Sequence, residues 1–517
     1  MEETPIGDNT AVQDSAQSEI LNEEDKGQTT VLINKVLKGE SVLFHDQFGS
    51  AFIAMEGNGG KILRLRNREF KSWLSHLGWK SLGKPINSAI IETAVRTLEG
   101  HALHEGKQLE LHVRAANLGN ELWYDLGDGK AVKITENGWT VVEKPPILFY
   151  RFAHQKAQVT PIEGGKLEEV FDYIPEPAEQ KERLLLLIWL ATALIQGFPH
   201  PILVVKGEKG SRKTTLFKLL RRLLDPSMLE TVGPQRDLNE FIQQASHNYF
   251  LPLDNLSPIK SDFSDLLCRV VTGEGFSKRE LFTNDDDIIY SFQRVLGMNG
   301  INLPIDKPDI LDRALIVNLQ PPENYEDEQK LFARFEEARP RLLGALFTVI
   351  AQTMKYRQDN PKVEGLEQYR MAGFAQFGAG ASEVLGVGKS VFISALKANR
   401  QLQHDEVIET SSVAFMIMQF MKTHTEWQGT PTALLTELKD VADGIGLDKQ
   451  KVLPKQANWL WRKLEEVIPN LRERGILVTR DRGDGLRNIQ ITTLAVTPSV
   501  EPLSNENEDI SVSEVPF

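Results

Sequence analysis

The chain has 517 residues, with 59 Lys and Arg against 72 Asp and Glu and a formal charge of −13. At 41% hydrophobic and 25% charged it reads as globular protein of about two to four domains, not a collagen-like, wholly disordered or disulfide-stapled chain. Its one cysteine, Cys268, excludes an internal disulfide and points to a reducing compartment.

The charge is unevenly placed. Residues 1–28 carry eight acids against Lys26, and residues 497–517 carry five acids and no base. The body between them is close to neutral, so the acidic total does not exclude nucleic acid as a partner. The longest apolar run, Leu184 to Ile195, is twelve residues. A membrane span needs about 18 or more, so this run suits a buried helix and no membrane partner is expected. The N-terminus has neither the basic nor the apolar region of a signal peptide, and the expected location is cytoplasmic.

In chain order, residues 1–28 read as a disordered acidic tail. Residues 29–175 read as a small α+β accessory domain. In it, Ser41–Phe44 and Ala51–Ala54 flank a turn, Arg68–Leu77 has helical spacing, and short alternating strands run to Val142. Residues 176–325 alternate helix and strand: a helix at Glu179–Ile195, then strands at Ile202–Val205, Tyr249–Leu253, Arg294–Met298 and Ala314–Leu319. That alternation implies an α/β core with a parallel sheet and helices on both faces. Residues 326–404 read as helical. Residues 405–496 read as helices followed by two short strands, the pattern of a winged-helix-like domain, and 497–517 as a second acidic tail.

The strongest motif is Gly207-Glu208-Lys209-Gly210-Ser211-Arg212-Lys213-Thr214-Thr215, after an apolar strand and opening a helix. Such a loop wraps a triphosphate in backbone N–H groups. Lys213 adds a charge near the β- and γ-phosphates, and the Thr214 hydroxyl can bind Mg²⁺. Arg212 stands where this loop usually has glycine, which bears on turnover more than on binding. The strand Tyr249–Leu253 ends in Asp254, a candidate Mg²⁺-holding acid, followed by Asn255 where many such ATPases have a second acid. Asn299 ends another strand and can position water or sense a γ-phosphate, or can be a turn residue before Gly300. Arg313, in Asp309-Ile-Leu-Asp312-Arg313, can serve a neighbouring subunit as an arginine finger, or can pair with Asp309 or Asp312.

Taken in order, the phosphate loop, Asp254-Asn255, Thr272-Gly273-Glu274-Gly275 with the basic pair Lys278-Arg279, Asn299 and Asp309–Arg313 resemble a superfamily 3 helicase of the AAA+ class. The resemblance is to ATPases of phages and integrative mobile elements, related to poxvirus-type primase-helicases. These carry strings similar to Leu267-Cys-Arg269, Asp254-Asn-Leu-Ser257 and Asn299-Gly-Ile301. The resemblance implies ATP and Mg²⁺ as cofactors, with Lys213 and Thr214 on the nucleotide and Asp254 as the Walker B acid. It implies Asn299 as sensor 1 and Arg313 as a finger in trans. It also implies Lys278 and Arg279 in a hairpin that grips DNA in the channel of a homo-oligomeric ring, a hexamer on single-stranded or forked DNA.

From Asp448 to Gln490, ten Lys and Arg face six acids. Lys455, Arg462, Lys463, Arg480, Arg482 and Arg487 are the candidate DNA contacts there, interleaved with Trp459 and Trp461; the alternative is a solvated helix face over core tryptophans. The acidic tail ends in Val515-Pro516-Phe517 and resembles the tip of bacterial single-stranded-DNA-binding protein. It implies host proteins that bind that tip, alongside a separate primase, as partners; a plain solubilising tail is the alternative. Three readings stay open: a replicative helicase-type motor, an ATP-gated initiation scaffold with slow hydrolysis, and a defence-system ATPase.

Overall fold

The computed structural model describes residues 23–55, 60–233, 237–256, 261–279, 287–300, 308–481 and 488–494. Arg482, Arg487 and Val515–Phe517 lie outside the described residues, as does most of the N-terminal tail. For Lys278 and Arg279 only the backbone is described. Contacts divide the chain into two units, residues 1–111 and 112–517. This division falls inside the span 29–175 drawn from the sequence.

In the first unit, the helices Glu23–Leu37, Arg68–Leu82 and Ser88–His104 accompany a four-stranded sheet. The strand order is Lys61–Arg64, Ala51–Met55, Val42–His45, Lys107–Gln108. The expected hairpin forms because the Asp46 carboxylate accepts from the Phe48 and Ser50 amides at 3.0 and 2.7 Å, fixing the turn. Asn87 caps the third helix by accepting from the Ile90 amide at 2.9 Å. Leu32, Ile53, Phe70, Leu74 and Leu98 form its core.

The second unit holds a parallel sheet in the order Phe250–Leu253, Val295–Asn299, Ile202–Gly207, Ala314–Leu319. Its apolar runs are buried throughout, as strands covered on both faces must be. The helix Gln180–Thr192 buries every residue from Leu184 onward, and its Trp189 indole donates to the Pro201 carbonyl at 2.9 Å. An antiparallel sheet, Ala115–Leu118, Glu121–Asp125, Ala131–Thr135 and Gly138–Val142, packs on the long helix Glu328–Asp359. Tyr124 meets Phe347 there with ring centroids 5.3 Å apart, and the Trp139 indole donates to Thr348 at 3.0 Å.

This antiparallel sheet belongs with the parallel core for a physical reason. The helix Lys213–Leu224 ends in carbonyls that have no partner of their own. Gln158 donates to the carbonyls of Arg222 and Leu223, and the Tyr124 hydroxyl donates to that of Leu224. Asp225 follows, fully buried. It accepts from Arg114 and Arg221 at 2.9 Å each, and from the Tyr249 amide at 2.9 Å. Burial alone would raise the Asp225 pKa, but the Arg221 and Arg114 guanidiniums outweigh it and hold the carboxyl well below the usual carboxylate range.

Toward the C-terminus, the helices Ser412–Met421, Pro431–Gly444 and Ala457–Glu473 pack together. A three-stranded antiparallel sheet runs Glu426–Gly429, Asn488–Thr493, Ile476–Asp481. Two of these strands match the sequence expectation. The third, Glu426–Gly429, carries only one large apolar residue and gives no strand pattern. Among the described residues, no helix is long and apolar enough to cross a membrane.

Candidate functional site

The strand Ile202–Gly207 delivers the chain into a loop at the C-terminal edge of the parallel sheet, and Lys213 opens the next helix. Gly207 has φ +146°, and a Cβ there would lie 2.5 Å from the Leu319 carbonyl oxygen, so glycine is required. Arg212 occupies the left-handed region, with φ 57° and ψ 31°. A non-glycine residue adopts that region at a cost of about 1 kcal/mol or more, and the Arg212 side chain supplies the offset. Its guanidinium donates to the Glu326 carbonyl at 2.6 Å and lies 5.4 Å from the Tyr325 ring centroid.

Lys213 Nζ donates to the Gly207 and Glu208 carbonyls at 2.7 and 2.9 Å, folding over the loop. Burial lowers its pKa, and the Asp254 carboxylate opposes that shift. The first-turn amides of Lys213–Thr215 have no intrahelical acceptors and point at the same space. Thr214 Oγ1 donates to Asp254 Oδ1 at 3.0 Å, forty residues away in sequence. Asp254 ends the strand Phe250–Leu253, as the sequence suggests.

Asn255 also takes a left-handed conformation, φ 56°, and its amide donates to Asn299 Oδ1 at 2.8 Å. The Leu256 amide donates to the Asn299 carbonyl at 2.9 Å. Asn299 is 2% exposed, and its Nδ2 has no hydrogen-bond partner among the described residues. Lys213, Thr214, Asp254, Asn255 and Asn299 thus converge on one site. The donors are an ammonium and helix-terminal amides, the acceptors a hydroxyl and a carboxylate. This set fits a phosphate chain with a hard divalent cation, and the unpartnered Asn299 Nδ2 beside it suits an anionic oxygen.

Arg313 does not join them. Its carbonyl accepts from the Ile202 amide, at the opposite end of the strand from Gly207. A six-residue strand spans about 20 Å, so Arg313 cannot reach its own chain's loop. The residue is 9% exposed, and its guanidinium pairs with Asp309 at 2.6 Å; Arg370 pairs with the same carboxylate at 2.9 Å. A cavity of about 290 Å³ lined by Asp312, Arg370, Asn399 and Arg400 lies at this far end, away from the loop.

Lys278 and Arg279 end the strand Phe276–Arg279, which pairs antiparallel with Asp287–Tyr290 as the expected hairpin. In the C-terminal module, the helix Ala457–Glu473 buries Leu460, Trp461, Leu464, Val467 and Leu471. Its other face exposes Arg462 and Lys463, with Lys455 exposed just before it. Trp459 is 55% exposed, with the Arg462 guanidinium 5.3 Å from its ring. Arg480 lies 4.4 Å over the buried Trp461. Trp461 is therefore core, as one alternative held, whereas Trp459 is surface. Sequence reading missed Tyr325 and Glu326, whose contacts with the loop span more than a hundred residues and carry no motif.

By its fold this is a mixed α/β protein built on a parallel sheet, with the candidate site at that sheet's C-terminal edge. Residues 173–403 match the family model described as actinomycete integrative conjugative element replication protein. Residues 413–504 match the model of the C-terminal domain of the same replication protein. The two meet the chain in order, and over these two segments the chain is similar to this family of mobile-element replication proteins. No curated protein matches by sequence. Among solved structures, one described as "SCCmec type IV Cch - active helicase" is similar at 13% identity and a TM-score of 0.46, covering 87% of this chain and 92% of that one. The NrS-1 C-terminal region is similar at 14% identity and a TM-score of 0.40, covering 90% of this chain and 98% of that one.

Proposed function

We propose that the protein is an ATP- and Mg²⁺-dependent AAA+ ATPase of the superfamily 3 type. It carries a winged-helix DNA-binding module and works as a ring oligomer on single-stranded or forked DNA in replication of its mobile element. The observation that carries the reading is the Thr214–Asp254 hydrogen bond at 3.0 Å beside the folded-over Lys213. A hydroxyl and a carboxylate at that spacing suit the shell of a Mg²⁺ bound with ATP.

Each residue then has a role. Lys213 leaves the loop carbonyls for the phosphates. Asp254 holds Mg²⁺, and the Asn299 amide faces the γ-phosphate side. ATP supplies the cleavable anhydride, and the chain's work is to hold, orient and sense it. Arg313 serves a neighbouring subunit only after parting from Asp309. Lys278 and Arg279 meet DNA in the channel. Lys455, Arg462, Lys463 and Arg480, with Arg482 and Arg487, meet the backbone through the C-terminal helix and wing. Val515–Phe517 recruit host proteins, and a separate primase completes the machinery.

Measuring Mg²⁺·ATP binding and hydrolysis for the wild type, Lys213→Ala and Asp254→Asn tests this. Binding should collapse in the first variant, and hydrolysis in both. Hydrolysis at wild-type rate in either would overturn the site assignment.

Specific observations favour a second reading, an ATP-gated initiation scaffold with slow turnover. Arg212 is tied to Glu326 and Tyr325, and Asn255 cannot take a proton from water. Nothing observed favours a defence role.

A further inference from the structure

Tyr325 touches the phosphate loop from the segment after the strand Ala314–Leu319. Its hydroxyl donates to the Gly210 carbonyl at 3.2 Å, and a Cβ on Gly210 would lie 2.8 Å from that oxygen. The φ of +94° at Gly210 suits glycine, and a Cβ there would push the Tyr325 hydroxyl off the loop. The tyrosine is 65% exposed. One face of its ring meets the Arg212 guanidinium; an exposed aromatic of this kind is available for stacking.

The sheet order says which end of a nucleotide would come here. The strand Ile202–Gly207 lies between Val295–Asn299 on one side and Ala314–Leu319 on the other. Asp254, Asn255 and Asn299, the metal- and γ-phosphate-facing residues, all lie on the Val295–Asn299 side. A triphosphate is a linear chain, so its base must leave on the opposite side. That side is the segment following Ala314–Leu319. This strand runs in register with the loop's own strand up to Gly207↔Leu319, so its continuation emerges beside the loop. Tyr325 lies six residues on.

On the reading of this loop as a nucleotide site, we infer that Tyr325 is the base platform, stacking its open ring face on the nucleobase of the bound nucleoside triphosphate. Arg212, which lies along the other face, positions the ring. Stacking is indifferent to the base, so Tyr325 contributes affinity for a nucleotide over a bare phosphate chain and little choice among bases.

The test is calorimetric binding of Mg²⁺·ATP and of Mg²⁺·inorganic triphosphate to the full-length protein. The proteins compared are the wild type, Tyr325→Ala, Tyr325→Phe and Lys213→Ala. The Tyr325→Ala variant should lose about tenfold in ATP affinity, the order of one base–aromatic stack, with triphosphate affinity unchanged. Tyr325→Phe keeps the ring and should bind both as the wild type does. Lys213→Ala should weaken both ligands. If Lys213→Ala weakens both while Tyr325→Ala leaves ATP unchanged, or weakens ATP and triphosphate equally, the platform is overturned and the nucleotide site stands. If Lys213→Ala weakens neither, the nucleotide site itself falls, and the platform with it.

Discussion

Several side chains here are held in states that water or a random chain would not give them. Asp225 is the clearest, a fully buried carboxylate between the guanidiniums of Arg114 and Arg221. Asp225→Ala leaves both guanidiniums buried without their partner, and should cost about 3–5 kcal/mol in chemical denaturation. A loss under about 1 kcal/mol would show the network to be dispensable. His200 is buried neutral, its pKa pushed down to about 4 by desolvation, with its ring donating to the Thr192 carbonyl. The unfolded chain takes up that proton below about 6.5, and the folded chain not until about 4, so stability falls as pH drops through this window. His200→Gln removes that proton uptake but can still donate. The fall in thermal midpoint between pH 7 and 4.5 should be smaller than in the wild type; an equal fall would contradict the assignment. His247, lowered to about 4 by burial and by His154 and Arg294, supplies part of the remaining dependence. Arg212 is a different kind of case, a strained residue secured by a distant carbonyl. Arg212→Gly should relieve the strain and free the loop, raising steady-state ATP hydrolysis several-fold; an unchanged or lower rate would mean that Arg212 does not restrain turnover.

Elements that alternate apolar strand and amphipathic helix were legible from sequence, because burial on both faces leaves an unmistakable pattern. The strand Ala314–Leu319 matches residue for residue, and Ile202–Gly207 and Val295–Asn299 match within two residues. The order of Asp254 and Asn299 after the loop was legible for the same reason, since each ends such a strand. What stayed hidden depends on contacts distant in sequence. Gln158 and Tyr124 cap the carbonyl end of the helix Lys213–Leu224, and no local pattern announces a cap supplied from sixty or a hundred residues away. The contact boundary at residue 111 was illegible on the same ground, because the strands after it look like those before it. In the C-terminal module the helix Ala457–Glu473 separates into a buried, mainly apolar face and an exposed face on which Arg462, Lys463 and Arg472 stand beside Glu465, Glu466 and Glu473. If that face meets phosphates, Arg462→Ala with Lys463→Ala should weaken DNA binding and reduce the slope of log affinity against log salt by about two. An unchanged slope would leave Arg462 and Lys463 on a solvated surface.

Across the whole molecule, a chain with a net charge of −13 is proposed to work on an anionic polymer. The sequence resolves the tension by keeping nearly all of its net negative charge in residues 1–28 and 497–517, and a local excess of base between Asp448 and Gln490. The candidate site and the helix Ala457–Glu473 both lie in the second unit, built on one continuous apolar core that runs from Ala115 to Ile491. Such a core can transmit a change at the loop to the C-terminal helices as packing, which is what a DNA-responsive ATPase requires. The most direct measurement is therefore steady-state ATP hydrolysis by the full-length protein with and without single-stranded DNA, beside Lys213→Ala. A motor predicts a rate that DNA raises several-fold and that Lys213→Ala abolishes. A rate that is absent, or indifferent to DNA, while ATP still binds would contradict the motor and leave an ATP-gated scaffold in its place.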